Sequence, residues 1–388
     1  MKIVSVIAEY NPFHNGHKRQ IEYIKRELKP DFTIAFLSGN FTQRGGVAVL
    51  DKFTRARHAI LAGFDAVIEL PTTFATQSAE IFSSGAVKLI SSLPCENVLC
   101  FGAETDSADL FIKTANLLLN EPNDFKTLIK EQLKTGVSLI DARDYAFKKL
   151  YPELKEIISS PNNILGLEYV KTIIKNGYNV TPIILKREGV SYSDGSAVTE
   201  VPSAFSIRNA IQNGNLGSIE KGVPPYVFKD LPSKLPSGDE AIIYSLLTKD
   251  KEVIKNTPDC AEGLENRIKD LARKHHTLDG LIEEVKSKRY STSRIKRIIL
   301  STALGIDKQT VIDALNENLY LKVLAINSKK TELLSVLSKS TSTAITKKLD
   351  EKGLCETALK VYDIDRLACD LYGLITENYL TTNYMQLI

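Results

Sequence analysis

The chain has 388 residues, of which 43% are hydrophobic and 25% are charged, and its net charge is +3. This length allows two or three domains, each with a core of its own. A net charge this small does not by itself indicate nucleic-acid binding. No apolar run approaches the roughly 20 residues needed to span a bilayer, and the apolar start is too short for a signal peptide. We therefore expect a cytoplasmic globular protein.

Five cysteines are scattered along the chain without a C-x-x-C pair. An odd number of unclustered cysteines argues against a disulfide framework and against a zinc site. We expect no set of metal ligands, and reduced thiols at Cys95, Cys100, Cys260, Cys355 and Cys369.

The first half of the sequence alternates predicted strands and helices. Apolar runs predict strands over residues 2–9, 32–37, 66–70, 97–101 and 181–185. Helical periodicity predicts helices from the first turn to about residue 28, over 52–62 and 76–92, within 106–150 and over 163–176. This order predicts an α/β fold with a doubly wound, Rossmann-like parallel sheet, whose ligands bind beyond the carboxyl ends of the strands.

A stretch punctuated by prolines, residues 221–238, is predicted to be a domain linker. Residues 1–220 would then form one domain and residues 239–388 a second, mainly helical one. In this second part, helices are predicted over 239–247, 261–274, 278–285, 293–304 and 308–315 and on to about 377, with one strand over 321–326.

The first strand and the turn after it carry the clearest functional signal. The strand ends at the turn sequence Asn11-Pro12, and a helix with an apolar face follows. His14 and His17 are three residues apart, so both imidazoles lie on one face of the first helical turn. A helix N-terminus attracts phosphate, and Gly16 removes a side chain where a nucleotide must approach. The pattern predicts a nucleoside triphosphate site.

Other phosphate- and metal-binding patterns are missing from the sequence. Neither a P-loop motif nor a G-x-G-x-x-G fingerprint occurs. The spacing of His14 and His17 is shorter than that of helical zinc ligands. Surface or capping histidines are the alternative interpretation, but it leaves the coincidence of strand, turn, glycine and helix start unexplained.

Two further segments offer cationic groups to the same sheet edge. After the second strand, the loop 39–45 and the helix that follows present Arg44 and Lys52, either of which could neutralise a triphosphate tail. Ser206 and Arg208 lie at the start of another predicted helix, which suits them to a β- or γ-phosphate and the departing pyrophosphate. A solvated loop and an ordinary capped helix are the alternatives.

Together these pieces resemble the nucleotidyltransferase superfamily with the His-x-Gly-His signature, here His14-Asn15-Gly16-His17. The segment Ser206-Ile207-Arg208 resembles its second phosphate-binding motif. A narrower similarity, to the bacterial tRNA(Met) cytidine acetate ligases, runs through residues 1–213 and continues at residues 320–327 (YLKVLAIN). It is carried by residues 9–17 (EYNPFHNGH), 38–45 (SGNFTQRG), 160–169 (SPNNILGLEY) and 186–188 (KRE).

This resemblance implies an ATP-dependent ligase that activates acetate as acetyl-adenylate and acetylates N4 of the wobble cytidine of elongator tRNA(Met), releasing AMP and diphosphate. ATP would be a substrate and Mg²⁺ would assist, and neither a membrane nor a protein partner is implied. Residues 1–220 would be the ATP-binding catalytic domain, and the helical domain would bind tRNA.

The resemblance also assigns site residues. His14, His17 and Arg208 would be catalytic. Gly102 would leave room for adenine or ribose, Asn162 would cap a helix and bind the nucleotide, and Arg187 would meet phosphate or carboxylate. The predicted ATP-binding residues are Ile7, Ala8, Glu9, Tyr10, Asn11, Pro12, Phe13, His14, Asn15, Gly16, His17, Gly102, Asn162, Arg187 and Ser206.

The basic run 286–297 has six cations in twelve residues and no acid. With Tyr290 and hydroxyl side chains interleaved, and with Arg273 and Lys274 nearby, it favours a surface for an RNA backbone over a solvated helix face. The predicted tRNA-binding residues are Lys286, Lys288, Arg289, Arg294, Lys296 and Arg297.

Two other functions fit parts of the sequence. An adenylyltransferase acting on a phosphate-bearing small metabolite would share the His-x-Gly-His signature, but it would leave the helical second half without a purpose. An RNA-binding protein that kept the fold without catalysis would have no need of the paired histidines or Arg208.

Overall fold

The computed structural model describes residues 1–187, 201–287, 289–346, 353–379 and 385–388, so Lys288 and Glu188 lie outside the described residues. One mostly parallel sheet organises this part of the chain. Its strands are β1 (Lys2–Ala8), β2 (Phe32–Ser38), β3 (Ala66–Leu70), β4 (Glu96–Ala103), β5 (Val180–Lys186), β6 (Tyr320–Ile326), β7 (Thr343–Ile345) and β8 (Gln386–Leu387).

The sheet order, β5-β4-β1-β2-β3-β6-β7 with β8 beside β6, is that of a doubly wound fold. Strands β1 to β5 pair in parallel, as predicted. The chain leaves β1 toward β2 and β3 on one side and reaches β4 and β5 on the other. Where the strand order reverses in this way beside β1, a crevice opens at the carboxyl end of the central strands. The turn that carries the paired histidines lies there.

Strand β6 pairs antiparallel with β3. The strand predicted over 321–326 therefore lies in the same sheet as the first five strands, although it follows the predicted linker in the chain. Division of the chain at residues 221–238 stays a prediction.

Helices flank the sheet and fill the second half of the chain. In the first half they are α1 (Asn15–Tyr23), α2 (Lys52–Ala62), α3 (Thr72–Ala75), α4 (Ala79–Ser91), α5 (Ala108–Leu119), α6 (Asn123–Lys134), α7 (Leu139–Leu150), α8 (Pro161–Asn176) and α9 (Ala204–Gln212). They continue with α10 (Pro225–Phe228), α11 (Asp239–Thr248), α12 (Lys251–Lys255), α13 (Leu264–Ala272), α14 (Leu278–Val285), α15 (Thr292–Leu304), α16 (Lys308–Asn316), α17 (Leu333–Leu337) and α18 (Glu356–Thr376).

The two faces of the sheet bury separate hydrophobic clusters, because successive side chains of a strand point to opposite faces. Ile3 of β1 packs in the cluster with α4, α5 and α8. Its neighbour Val4 packs in the cluster with α1, α2 and α9. The predicted apolar face of the first helix is confirmed at Ile21 and Ile24, which are fully buried. This packing fixes the direction in which α1 leaves the sheet.

The loop after β2 lies directly on α15. Gly45 has a φ of +76°, and a Cβ at this position would lie 2.6 Å from the carbonyl carbon of Lys296 and 2.7 Å from the nitrogen of Arg297. Only a glycine allows this backbone to approach so closely at this φ. The contact brings the predicted basic surface to the carboxyl edge of the sheet.

Charged side chains are buried between β3, β6 and the N-terminus of α2. Nζ of Lys52 donates to both carboxylate oxygens of Glu69, at 2.6 and 2.7 Å. Nζ of Lys322 lies 3.7 Å from Oε2 of Glu69 and has no hydrogen-bond partner among the described residues. All three side chains are almost fully buried. The hypothesis that Lys52 neutralises a triphosphate is therefore wrong, because its charge is already used inside the protein.

Among the described residues, no helix combines the length and the apolar character that crossing a membrane requires. All five cysteines are free thiols, as predicted.

Candidate nucleotide-binding site

The turn after β1 is held by hydrogen bonds from distant segments. Asn11 accepts at its side-chain Oδ1 from the backbone N–H of Val49 (2.8 Å) and at its carbonyl from Nη1 of Arg208 (2.7 Å). The carbonyl of Glu9 accepts from Nη1 of the buried Arg55 (2.6 Å). These contacts fix the turn before any ligand arrives, so little of its conformational entropy remains to be lost on binding.

The two histidines form one compact unit. His14 is the N-cap of α1, and its Nδ1 accepts a hydrogen bond from the backbone N–H of Gly16 (3.1 Å). The backbone N–H of His14 donates in turn to Nδ1 of His17 (3.2 Å). The rings are stacked, with centroids 3.6 Å apart. A Cβ on Gly16 would lie 2.9 Å from Cε1 of His14, so this glycine is required by the capping ring.

Both imidazoles are neutral in the folded protein. Burial lowers the pKa of His14 to about 3, with the nearby charges of Arg187 and Arg208 as further causes. Burial also holds the pKa of His17 well below its ordinary value, followed by the effects of His14 and Arg187. Since each Nδ1 accepts a hydrogen bond, each Nε2 carries the proton of the neutral ring. Two N–H donors are thus available to an anionic ligand.

We expect the free energy of unfolding to fall as the pH drops from 7 to 5. The unfolded chain binds protons at these imidazoles near the ordinary pKa of 6.5, whereas folded His14 stays neutral down to about pH 3. Below pH 6.5 each such histidine therefore weakens folding by about 1.4 kcal/mol per pH unit. Denaturant titrations at pH 7, 6 and 5 measure this slope. The slope should decrease in His14→Gln, and an unchanged slope would contradict the assignment.

Arg187 and Arg208 reach the histidines from two different segments of the chain. Arg187 follows β5, where its backbone N–H donates to the carbonyl of Ala103 (2.9 Å). A Cβ on Gly102 would lie 3.3 Å from Cγ of Arg187, so the glycine leaves room for this arginine. Arg208 lies in α9 and donates to the turn. Two permanent cations thus surround two neutral donors, an arrangement suited to a polyanion.

Ser206 is buried and its hydroxyl is used inside α9. The N-cap Ser203 accepts from the backbone N–H of Ser206 (3.1 Å), and the hydroxyl of Ser206 donates to the carbonyl of Ser203 (2.8 Å). It is Ser203 that lines the cavity described below. A direct contact of Ser206 with ATP stays a prediction.

Asn162 does not cap α8, contrary to the prediction. The N-cap is Ser160, whose hydroxyl accepts from the N–H of Asn163. Asn162 follows Pro161 inside the first turn, and its Nδ2 donates to Oε1 of Glu104 (2.6 Å). Burial raises the pKa of Glu104, but hydrogen bonds from Ser160 and Asn162 outweigh it and lower the pKa. Asn162 is therefore held by an ionised carboxylate at the edge of the site.

His14, His17, Asn162, Arg187 and Arg208 line one cavity of about 1030 Å³. Pro12, Phe13, Asn15 and Ser206 do not line it; Phe13 instead packs against the rings of Tyr10 and His17. The predicted site residues that line the cavity are Ile7, Ala8, Glu9, Tyr10, Asn11, His14, Gly16, His17, Gly102, Asn162, Arg187, Arg208 and Arg297.

The sequence did not single out several other residues of the cavity. Aromatic walls come from Phe82, Phe101 and Tyr169, which lie on three different elements. Ser291, the N-cap of α15, and Ser293 in its first turn also line the cavity. Arg44 also lines the cavity. Of the two cations considered for a triphosphate, Arg44 and Lys52, it is therefore the one at the site. The motif 160–169 contains Tyr169, but nothing in the local pattern distinguishes a cavity wall from a core aromatic.

The basic run is partly neutralised by acids from neighbouring helices and loops. Arg297 pairs with Asp259 (2.9 Å), and Arg294 donates to the carbonyl of Asp259 and lies over the ring of Tyr290. The exposed ion pairs of the run are Lys286 with Glu283, Arg289 with Glu262 and Lys296 with Asp279. Such surface pairs contribute little stability, so a phosphate can replace the carboxylate.

The doubly wound sheet and the paired histidines define a nucleotide-binding protein of the His-x-Gly-His class. In agreement, residues 1–386 match the family described as HIGH Nucleotidyl Transferase.

Relatives named tRNA(Met) cytidine acetate ligase are similar over almost the whole chain. The one from Thermoanaerobacter sp. (strain X514) is 37% identical, over 97% of this chain and 96% of the relative. The one from Acetivibrio thermocellus is 34% identical over the same shares. A crystal structure of Thermotoga maritima TmcAL bound with alpha-thio ATP has a TM-score of 0.88 and 29% identity, over 100% of both chains. The chain belongs to the tRNA(Met) cytidine acetate ligase family, which confirms the resemblance noted in the sequence.

Proposed function

We propose that this protein activates acetate with ATP as acetyl-adenylate and transfers the acetyl group to N4 of the wobble cytidine of elongator tRNA(Met). The products are N4-acetylcytidine, AMP and diphosphate. One observation carries the proposal: the stacked His14 and His17 share a cavity with Arg187 and Arg208, in a chain of this ligase family. Such a tRNA substrate implies a cytoplasmic location.

The triphosphate would lie along the first turn of α1. Nε2–H of each histidine and the guanidinium groups of Arg187 and Arg208 supply donors there, beside the positive end of the helix dipole. Gly102, near the end of β4, and Asn162, in the first turn of α8, would border the nucleoside. Both lie at the same carboxyl edge of the sheet.

In the first step an acetate oxygen attacks the α-phosphorus of ATP, and the bond to the pyrophosphate oxygen breaks. Negative charge builds on the departing pyrophosphate, where the neutral histidines and the arginines donate hydrogen bonds. Preorganised donors of this kind stabilise a transition state without reorganising. Activation is needed because the cytosine amine is too weak a nucleophile to attack free acetate.

Mg²⁺ would accompany the triphosphate. In nucleotide sites this ion is held mostly by phosphate oxygens and water, with one or two protein carboxylates. The described residues contain no cluster of three or more His, Cys, Asp or Glu side chains suited to a metal. The phosphates would therefore carry most of its coordination.

The tRNA would bind along α15 and the segment before it. Arg297, Ser291 and Ser293 line the nucleotide cavity, so this surface is continuous with the proposed reaction site. Arg289, with a side chain 81% exposed, lies farther out. A strong decrease of affinity with salt is the expected signature of such a phosphate-binding surface.

Labelled acetate tests the proposal directly. The protein is incubated with ATP, labelled acetate and total bacterial tRNA, and the digested RNA is separated into nucleosides. We expect label on cytidine only when ATP is present. In a second experiment the ATP is labelled. Label on a phosphate-bearing small metabolite, and none on RNA, would then support the adenylyltransferase alternative. Retention of tRNA without ATP turnover would support a binding protein.

A further inference from the structure

We propose that Glu9 accepts a hydrogen bond from the N4 amine of the substrate cytosine and takes its proton during acetyl transfer. This inference rests on the proposed function and identifies the base of its second step.

Glu9 is the first residue after β1, and hydrogen bonds hold both its backbone and its side chain. Its carbonyl accepts from Arg55, and Oε1 of its carboxylate accepts from the backbone N–H of Gln43 (2.7 Å). The side chain is half-buried and lines the same cavity as His14 and His17. Within the described part of the chain, Oε2 has no hydrogen bond and the carboxylate has no ion pair. One oxygen is therefore positioned and the other is available.

A carboxylate is an unsuitable partner for a triphosphate, because like charges repel. The donors that suit phosphate lie on the other residues of the turn. Glu9 therefore fits a ligand group that donates hydrogen bonds and is uncharged.

The wall of the cavity at Tyr169 and Phe101 is apolar, and only small parts of the two rings are exposed. The ring of Tyr169 packs edge-on against Phe101, with centroids 5.5 Å apart, and both rings line the cavity. Burial and then the charge of Glu9 raise the pKa of Tyr169. Carboxylates recognise cytosine by accepting from its N4 amine.

The chemistry of the second step requires such a base. N4 attacks the carbonyl carbon of the acetyl-adenylate, a carbon–nitrogen bond forms, and the bond from that carbon to the phosphate oxygen breaks. AMP leaves with the electron pair of that bond. The amine has two hydrogens and the amide product has one, so one proton passes to Oε2 of Glu9. Uridine carries the acceptor O4 where cytidine carries the N4 amine. The carboxylate of Glu9 would repel this oxygen.

Two assays on the full-length protein separate the steps. Acetate-dependent exchange of labelled pyrophosphate into ATP reports adenylate formation without tRNA, and single-turnover transfer at saturating tRNA reports the second step. In Glu9→Gln we expect exchange within about threefold of the wild type, and transfer slower by about 100-fold or more. Glu80→Gln is the matched control, because this exposed carboxylate of α4 does not line the cavity. It should leave both rates unchanged.

Unchanged transfer in Glu9→Gln would overturn the inference. An equal loss of exchange and transfer would also overturn it, since Glu9 would then serve ATP, for example by binding the adenine amine. Glu9→Asp keeps a carboxylate but withdraws it by one methylene, so its transfer rate should lie between those of the wild type and Glu9→Gln. If Glu9→Gln does not fold, the transfer rate of Glu9→Asp tests the inference in its place. Absence of acetate-dependent exchange in the wild type would instead refute the proposed function.

Discussion

Replacement of His17 by alanine is expected to decrease acetate-dependent pyrophosphate release by about 100-fold or more, while the protein stays folded. The substitution removes one Nε2–H donor from the site where charge develops, and loss of one such donor costs about this factor. It also removes the acceptor of the backbone N–H of His14 and the ring stacked on it. Pyrophosphate release with saturating ATP and acetate measures the effect.

His276→Ala is the matched control for this experiment. His276 is exposed after α13, outside the cavity, so its loss should leave pyrophosphate release unchanged. Near-normal release in His17→Ala would remove the histidine pair from the chemistry. Circular dichroism of both variants establishes that the sheet and helices are retained.

Glu69→Gln is expected to lower the free energy of unfolding by about 3–5 kcal/mol, the cost of breaking a buried ion pair. The carboxylate binds Lys52 through both oxygens and lies 3.7 Å from Lys322. Burial raises the pKa of Glu69, but the two lysines outweigh it and lower the pKa. The variant leaves the two ammonium groups with only the buried Asp365 as a nearby acid, and burial raises the pKa of Asp365. Denaturant unfolding at pH 7 measures the loss.

Two further variants test the cause of that loss. Glu96→Gln neutralises an exposed carboxylate at the start of β4 and should change stability by less than about 0.5 kcal/mol. Glu69→Gln combined with Lys322→Met should be more stable than Glu69→Gln, because the buried lysine with no hydrogen-bond partner is removed. Full stability of Glu69→Gln would mean that the buried charges do not hold β3 and β6 together.

Much of the fold follows from local patterns. The helix predicted over 52–62 and the strand predicted over 66–70 have the predicted limits, because Asp51 caps α2 and Gly63 ends it. The histidine site was also predictable, since a strand, a turn, a glycine and a helix start lie within twelve residues. Asn162 was misjudged because Ser160, two residues earlier, is the better cap.

Contacts between distant segments were not predictable in this way. Lys52 is a plausible phosphate ligand by sequence, and only its burial against Glu69 shows that it is not available. The approach of α15 to the loop at Gly45 joins residues about 250 positions apart. No local pattern encodes which of several basic segments will lie beside the histidines.

The sequence alone determined the class of the fold, the turn that carries the histidines and the family resemblance, because each depends on residues close together in the chain. The tertiary structure decided which charges are buried and which line the cavity. It also fixed the carboxylate of Glu9 on the backbone N–H of Gln43. Burial and long-range pairing control these outcomes, and both arise only when the sheet has assembled.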